Sequence, residues 1–330
     1  MKVSIFSAHK FEKPLLERAN ASYGYELKYF DAHLDPSVAK LAAGSEIVSA
    51  FVSDQLCKDT LKVLADGGTK MIALRSAGFN HVDLTAAAEL GITVTRVPAY
   101  SPHAIAEHAI ALILTLNRKT HKAYNRSREG NFSLEGLMGF DLAGKTVGII
   151  GTGKIGTVAC KILLGFACRV VAYDKFPNQE CKDMGVEYID FDSLLKVSDI
   201  ISLHCPLNAE SHYLIDDAAL GKVKDGLMLI NTGRGALIDT KAAIRALKTG
   251  KLGYLGIDVY EEEEDLFFED QSEHIIDDDV FSRLLSFPNV LITGHQGFFT
   301  SNAVECIANT TLENIQAFAS GQPLANQIKA

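Results

Sequence analysis

The stretch that decides the fold is Lys145-Thr146-Val147-Gly148-Ile149-Ile150-Gly151-Thr152-Gly153-Lys154-Ile155-Gly156. The apolar run from Val147 to Ile150 reads as a buried parallel strand, and Gly151-x-Gly153-x-x-Gly156 turns it into a helix. Each glycine has its own physical task. Gly151 permits the tight turn, Gly153 leaves no side chain in the way of a pyrophosphate, and Gly156 lets the helix pack closely on the strand. The helix N-terminus then offers unpaired N–H groups and the positive end of its dipole to phosphate. Downstream, Arg169-Val170-Val171-Ala172-Tyr173 reads as the next strand, and Asp174 closes it 18 residues beyond Gly156. A carboxylate at that point accepts hydrogen bonds from adenosine ribose hydroxyls and repels a 2′-phosphate. Strand, turn, helix, strand and acid in this register predict a cradle for NAD rather than NADP.

The alternation of strand and helix extends in both directions. Beyond the cradle, further strands are predicted over 199–203, 227–230, 256–259 and 290–293. Ahead of it, strands over 3–7, 27–30, 47–52, 71–74 and 93–97 alternate with amphipathic stretches over 13–20, 36–43, 55–65 and 83–90. None of these earlier strands is followed by a glycine-rich turn. A chain of 330 residues is long for one core, so two domains are expected. The break falls near Pro98-Ala99-Tyr100-Ser101-Pro102, where Ser101 suits an N-cap and Pro102 a first helical residue. The helix that follows, to about Arg118, is apolar on much of its surface and is expected to lie between domains or against another subunit. The stretch 125–139 reads as polar and irregular, and a last helix over 302–319 is expected to return to the first domain. The predicted fold is α/β with two domains. A Rossmann-type doubly wound parallel sheet for NAD spans 101–298, and a discontinuous, flavodoxin-like substrate domain comprises 1–100 and 299–330.

Composition narrows the partners. A net charge of −9 with 47% hydrophobic residues speaks against a nucleic-acid or acidic-membrane partner and for an ordinary globular chain. Six cysteines, Cys57, Cys160, Cys168, Cys181, Cys205 and Cys306, are scattered without a CxxC pair, as for free thiols in a reducing compartment. The chain opens directly into a strand and has no apolar run near 18 residues, so neither a secretory leader nor a membrane span is expected. The expected location is cytoplasmic, and no metal is expected.

Ligands of an open parallel sheet bind outside the carboxyl ends of its strands. Three reactive groups follow strands there: Arg234, Glu263 and His295. Alone, each is compatible with a surface ion pair, the solvated acidic run Glu261-Glu262-Glu263-Glu264-Asp265, or a structural histidine. Together on the rim of a nicotinamide site they form the set required for hydride transfer to a 2-oxo acid. A protonated imidazole can supply the proton the developing oxyanion needs. A carboxylate on its other ring nitrogen orients the ring and favours the protonated form. Arg234 can bind the substrate carboxylate and polarise the keto oxygen through a fork that lysine lacks.

At these residues the chain resembles the D-isomer-specific 2-hydroxyacid dehydrogenase family, above all its lactate-forming members. The similarity runs through Arg75-Ser76-Ala77-Gly78-Phe79-Asn80, Val97-Pro98-Ala99-Tyr100-Ser101-Pro102, Ala106-Glu107-His108-Ala109, His204-Cys205-Pro206-Leu207, Asn231-Thr232-Gly233-Arg234-Gly235, Asp258-Val259-Tyr260, Asp265-Leu266-Phe267-Phe268-Glu269-Asp270 and Gly294-His295-Gln296. The resemblance implies NAD-dependent, reversible reduction of pyruvate to D-lactate. It implies Arg234 as substrate binder, Glu263 as the histidine's partner and His295 as acid/base. It selects Glu263 because the family's glutamate stands five residues after the aspartate matched by Asp258. Cofactor contacts are implied for Ile155, Gly156, Asp174, Cys205, Pro206, Ser211, Thr232, Gly233 and Asp258, the last on the nicotinamide carboxamide. The substrate carboxylate is implied to rest on the backbone of Ser76, Ala77 and Gly78 beside Tyr100, with Phe51 and Phe298 or Phe299 over its small side chain.

Three positions depart from the family pattern. Ser211 stands where asparagine is frequent, and Gly233 and Gly297 stand where serine or alanine and alanine are common; both glycines are expected to loosen the backbone beside Arg234 and His295. A homodimer or dimer of dimers is expected. The rival readings are a related dehydrogenase acting on glycerate or a branched 2-oxo acid, and an NAD-sensing, corepressor-like binding protein.

Overall fold

The computed structural model describes residues 1–263, 266–268 and 270–329. Glu264, Asp265 and Glu269, from the acidic run and the string that follows it, lie outside the described residues, as does Ala330. The chain divides into two compact units, Met1–Ser101 with Phe299–Ala330, and Pro102–Phe298.

In the first unit, β1 (Lys2–Ile5), β2 (Glu26–Tyr29), β3 (Ile47–Ala50), β4 (Met71–Leu74) and β5 (Thr93–Thr95) form a parallel sheet in the order β5-β4-β3-β1-β2. A two-residue strand, Gln327–Ile328, adds antiparallel to β5. The central strands are short apolar runs buried on both faces, as a doubly covered parallel sheet demands. Alternate residues feed opposite layers. Val48 and Ile72 join Phe6, Leu34 and Leu61 on one face, while Ile47 and Met71 join Leu16, Leu312 and Ile315 on the other. Each such side chain contributes about 1.5–3 kcal/mol by leaving water. The helix Ser301–Ala319 thus belongs to the first unit, where its face covers the sheet beside the helix Lys13–Asn20; Thr300 caps it by accepting from Ala303 N.

The second unit carries β6 (Thr146–Ile150), β7 (Arg169–Tyr173), β8 (Glu187–Tyr188), β9 (Ile200–Leu203), β10 (Leu227–Asn231), β11 (Leu252–Ile257) and β12 (Val290–Ile292). All are parallel, in the order β12-β11-β10-β9-β6-β7-β8. The strand order reverses between β6 and β9, which is where such sheets open a crevice at their carboxyl ends.

Three differences from the sequence expectation stand out in the second unit. The strand expected over 256–259 is Leu252–Ile257, because two glycines interrupt its apolar pattern. Close approach of backbone forces the first, since a Cβ at Gly253 would lie 2.5 Å from Gly226 O; at Gly256 a Cβ would press on the side-chain ends of Ile230 at 2.9 Å and Leu116 at 3.0 Å. A helix, Thr120–Arg128, enters the stretch expected to be irregular; it buries no residue and so has no apolar face for a pattern to reveal. The helix Pro102–Arg118 spends its apolar face inside its own unit. Ala106, Ala109, Ile113 and Leu116 pack with Val147, Ile149, Met228 and Ile230, so its burial is no argument for a second subunit.

Candidate active site

The glycine turn at the end of β6 separates two kinds of constraint. Gly151 has φ +93°, and a Cβ there would stand 2.5 Å from Cys205 N. One on Gly156 would stand 2.0 Å from Gly151 O. The protein's own backbone therefore demands both glycines. At Gly153, the N-cap of the helix Lys154–Gly165, a Cβ would meet no atom within 4 Å, and no side chain caps the helix. Nothing in the protein's packing requires that glycine, and its bare position leaves the helix N-terminus open to a phosphate.

Asp174 is fixed to this turn. Its Oδ2 accepts from Thr152 N at 2.5 Å and Thr152 Oγ1 at 3.1 Å, and its Oδ1 accepts from Phe176 N at 2.8 Å. Tyr188 donates its hydroxyl proton to Thr152 Oγ1 at 2.8 Å, and Asn178 Nδ2 donates to Thr152 O and Thr157 Oγ1, each at 3.1 Å. Sequence reasoning missed this brace of Thr152, Asn178 and Tyr188; a polar residue inside the glycine motif was its one signal.

Beside the turn, after β9, His204 is held neutral because burial pushes its pKa down to about 4, and its Nε2 meets Ser202 Oγ at 2.9 Å. Burial pushes the Cys205 thiol up to about 11, so it stays protonated and is not a thiolate. Ser211 is buried, its Oγ donating to Pro206 O at 2.7 Å and accepting from Asn208 N at 2.8 Å. Its hydroxyl shapes the Pro206–Ser211 turn from within. Thr232 Oγ1 is buried without a hydrogen-bond partner among the described residues, a polar atom that a cofactor group could satisfy.

Asn231, at the end of β10 and 1% exposed, builds the turn that carries Arg234. Its Oδ1 accepts from Gly233 N at 3.0 Å and its Nδ2 donates to Arg234 O at 2.8 Å. Gly233 is thus braced, contrary to the expected loosening. Arg234 Nη1 donates to Gly233 O at 2.7 Å, and no carboxylate pairs with the guanidinium among the described residues.

His295 and Glu263 meet. Nδ1 of the imidazole lies 2.8 Å from Glu263 Oε1, and both side chains are largely buried. The other oxygen, Oε2, accepts from Tyr260 N at 2.9 Å. An ionised carboxylate only accepts, so Nδ1 carries the proton toward Glu263 and Nε2 is the ring nitrogen not engaged by it. Glu261 is the structural acid of the run, accepting from Thr240 N and from Tyr213 Oη, each at 2.7 Å. Its neighbour two residues on reaches the histidine.

His295 holds φ +51°, a left-handed conformation in which a non-glycine residue needs support. Asp258 supplies it. Its backbone O accepts from His295 N at 2.8 Å, its Oδ1 from Gln296 N at 2.9 Å and its Oδ2 from Gly297 N at 2.7 Å. Thr293 Oγ1 donates to Oδ1 at 2.5 Å, and His108 Nε2 lies 3.2 Å from the same oxygen. Burial alone would push this carboxyl up, but His108, Thr293 and the Gly297 N–H hold it below its ordinary value. Asp258 is 1% exposed; Oδ1 faces three protein donors and Oδ2 one, the Gly297 N–H. One expectation changes here. Gly297 is buried and bonded, and a Cβ on it would stand 2.8 Å from Asp258 Oδ2, so it marks close approach and not looseness.

The remaining candidates lie in the first unit, apart from Phe298. Arg75 is 2% exposed and donates to Glu12 Oε1, Ser49 Oγ, Phe6 O and Ser7 O, anchoring the turn that begins at Ser76. Within that turn Ala77 O accepts from Arg96 Nη1 at 2.9 Å and Gly78 O from Ser76 Oγ at 2.7 Å. Phe51 is 3% exposed, with its ring on His9 and Arg75, whereas Phe299 is half exposed against Phe11. Tyr100 and Phe298 are partly buried.

With this geometry in hand, the similarities are informative. Residues 110–297 match the D-isomer-specific 2-hydroxyacid dehydrogenase family, NAD-binding domain. D-lactate dehydrogenase of Escherichia coli (strain K12) is 51% identical over 328 residues, covering 99% of this chain and 100% of that protein. The chain belongs to the D-isomer-specific 2-hydroxyacid dehydrogenase family. Among solved structures, the pyruvate reductase of Chlamydomonas reinhardtii superposes with a TM-score of 0.94 at 43% identity over 99% of this chain and 98% of that one. D-lactate dehydrogenase from Aquifex aeolicus, complexed with NAD and lactic acid, does so with 0.88 at 34% identity over 99% of each chain. This family member is an NAD-dependent dehydrogenase, and the bare Gly153, the unpaired Thr232 hydroxyl and the placed Asp174 fit that cofactor.

Proposed function

We propose that the chain interconverts pyruvate and D-lactate, with His295 as acid/base, Glu263 as its orienting partner and Arg234 as the group that binds and polarises the 2-oxo acid. The observation that carries this reading is the 2.8 Å pair of His295 and Glu263, beyond the carboxyl ends of the sheet that carries the glycine turn. Bound NADH supplies the hydride. For each pyruvate reduced, one hydride reaches the carbonyl carbon and one proton reaches its oxygen. His295 Nε2 delivers that proton, and Glu263 stabilises the imidazolium before transfer. Arg234 lowers the charge that builds on the oxygen. In oxidation, neutral Nε2 takes the hydroxyl proton back.

The E. coli and A. aeolicus relatives, described as D-lactate dehydrogenases, support lactate over bulkier or phosphorylated acids. The test is NADH oxidation by the purified chain with a panel of 2-oxo acids, with product chirality assigned. Pyruvate as the best substrate and D-lactate as product support the reading. Turnover with none of the panel would favour an NAD-sensing protein.

No helix among the described residues is long and apolar enough to cross a membrane, and a cytoplasmic enzyme is part of the same proposal. So is a homo-oligomer, now resting on the exposed apolar side chains of Phe132, Leu134 and Met138. Light scattering of the wild type and of Phe132→Ser/Leu134→Ser tests it: the variant is expected at half the wild-type mass or less.

A further inference from the structure

We propose that His108, on the helix Pro102–Arg118, is a positioning residue for the reaction, holding His295 through Thr293 and Asp258. This rests on the reading of His295 as acid/base. Thr293 Oγ1 gives its own proton to Asp258 Oδ1, so toward His108 it can only accept. Nε2 of His108 therefore faces two acceptors, Thr293 Oγ1 at 3.0 Å and Asp258 Oδ1 at 3.2 Å, and must carry a proton. Among the described residues it is the one ion-pair partner of Asp258.

Asp258 in turn gathers the N–H groups of His295, Gln296 and Gly297, three consecutive donors whose convergence requires the left-handed His295. A carboxylate so deeply buried keeps its charge only while donors surround it. Without His108, its balance shifts toward the neutral form, which grips the Gln296 and Gly297 N–H groups less strongly. The turn then relaxes from φ +51°, and the imidazole moves off Glu263. His108 touches neither cofactor nor reacting atoms in this scheme. It is set on a helix whose buried face is part of the apolar core.

The test is the pH profile of pyruvate reduction in the full-length enzyme. His108→Leu is expected to lower kcat by about tenfold to a hundredfold. It should also move the alkaline fall in rate to lower pH, by about one unit or more. His108→Gln, which keeps a donor in reach of Asp258, should restore most of the turnover. Wild-type kcat and an unmoved alkaline limb in His108→Leu would overturn the proposal, as would equal damage in both variants. Should His108→Leu fail to fold, Thr293→Val asks the same question by removing the hydroxyl between His108 and Asp258, and an unmoved limb there is equally contrary. Glu263→Gln is the control. If it leaves the limb in place, the acid/base reading fails; if it moves the limb and His108→Leu does not, only the positioning role fails.

Discussion

Each unit has a doubly wound parallel sheet, yet the turns after β1 and β6 solve the same problem in opposite ways. After β6, Gly151 takes φ +93° and the next helix starts at Gly153 with no side chain over its N-terminus. After β1, the left-handed position is Ser7 at φ +46°, tied by its hydroxyl to buried Asp54 at 2.6 Å. The helix Lys13–Asn20 then starts at Glu12. That carboxylate accepts from His9 N at 3.4 Å and from fully buried Arg75 at 3.0 Å. A helix N-terminus favours negative charge. In the first unit a carboxylate paired with Arg75 stands at the helix start without capping its N–H groups; in the second no side chain stands there at all. The fold alone does not make a nucleotide site. The few side chains at the turn decide.

The contrast breaks most visibly at Glu12. Glu12→Ala strands the Arg75 guanidinium in the core, and urea denaturation should show a loss of about 3–5 kcal/mol. NADH affinity of the protein still folded should not change. A matching loss of NADH binding would mean that the two turns are not independent.

His204 offers the next largest effect, on the second unit. Its pKa is about 4 when folded and about 6.5 when unfolded. Between those values the unfolded chain binds a proton that the folded chain refuses, so stability falls as pH drops from about 6.5 to about 4. The loss attributable to His204 approaches about 3 kcal/mol. Denaturant titrations at pH 7 and 4.5 should differ more for the wild type than for His204→Gln; identical differences would contradict the assignment.

Gly153→Ala has the smallest expected effect on stability and the clearest meaning. With open space around the added methyl, the unfolding free energy should move by less than about 1 kcal/mol. NADH affinity, measured by fluorescence titration, should nevertheless fall. Unchanged affinity would remove the phosphate from this end of the helix.

These contrasts show what the sequence can carry. The glycine turn was legible because each glycine answers a separate steric demand, and Asp174 because it closes a strand at a set distance. β11 departs from the expected strand because Gly253, pressed by the Gly226 backbone, and Gly256 erase the apolar run that marks a strand. The choice of Glu263 over Glu261 rested on family resemblance. In space the two acids are told apart by Thr240 and Tyr213 on one and His295 on the other. Asp258 and His108 were legible as motif letters only, since a buried carboxylate's partners come from a helix about 150 residues away in the chain. Long-range polar satisfaction leaves no local period to read.

The central claim is that the rim of the second sheet both holds the cofactor and moves the proton, by separate groups. His295→Asn tests it most directly, because asparagine tolerates the left-handed backbone that position requires. NADH titration and pyruvate-dependent NADH oxidation should be measured on the same preparation. The account predicts nearly unchanged NADH affinity with turnover reduced by about 10²–10⁴-fold. Turnover within about tenfold of the wild type would fall below the range of general acid–base catalysis and contradict it.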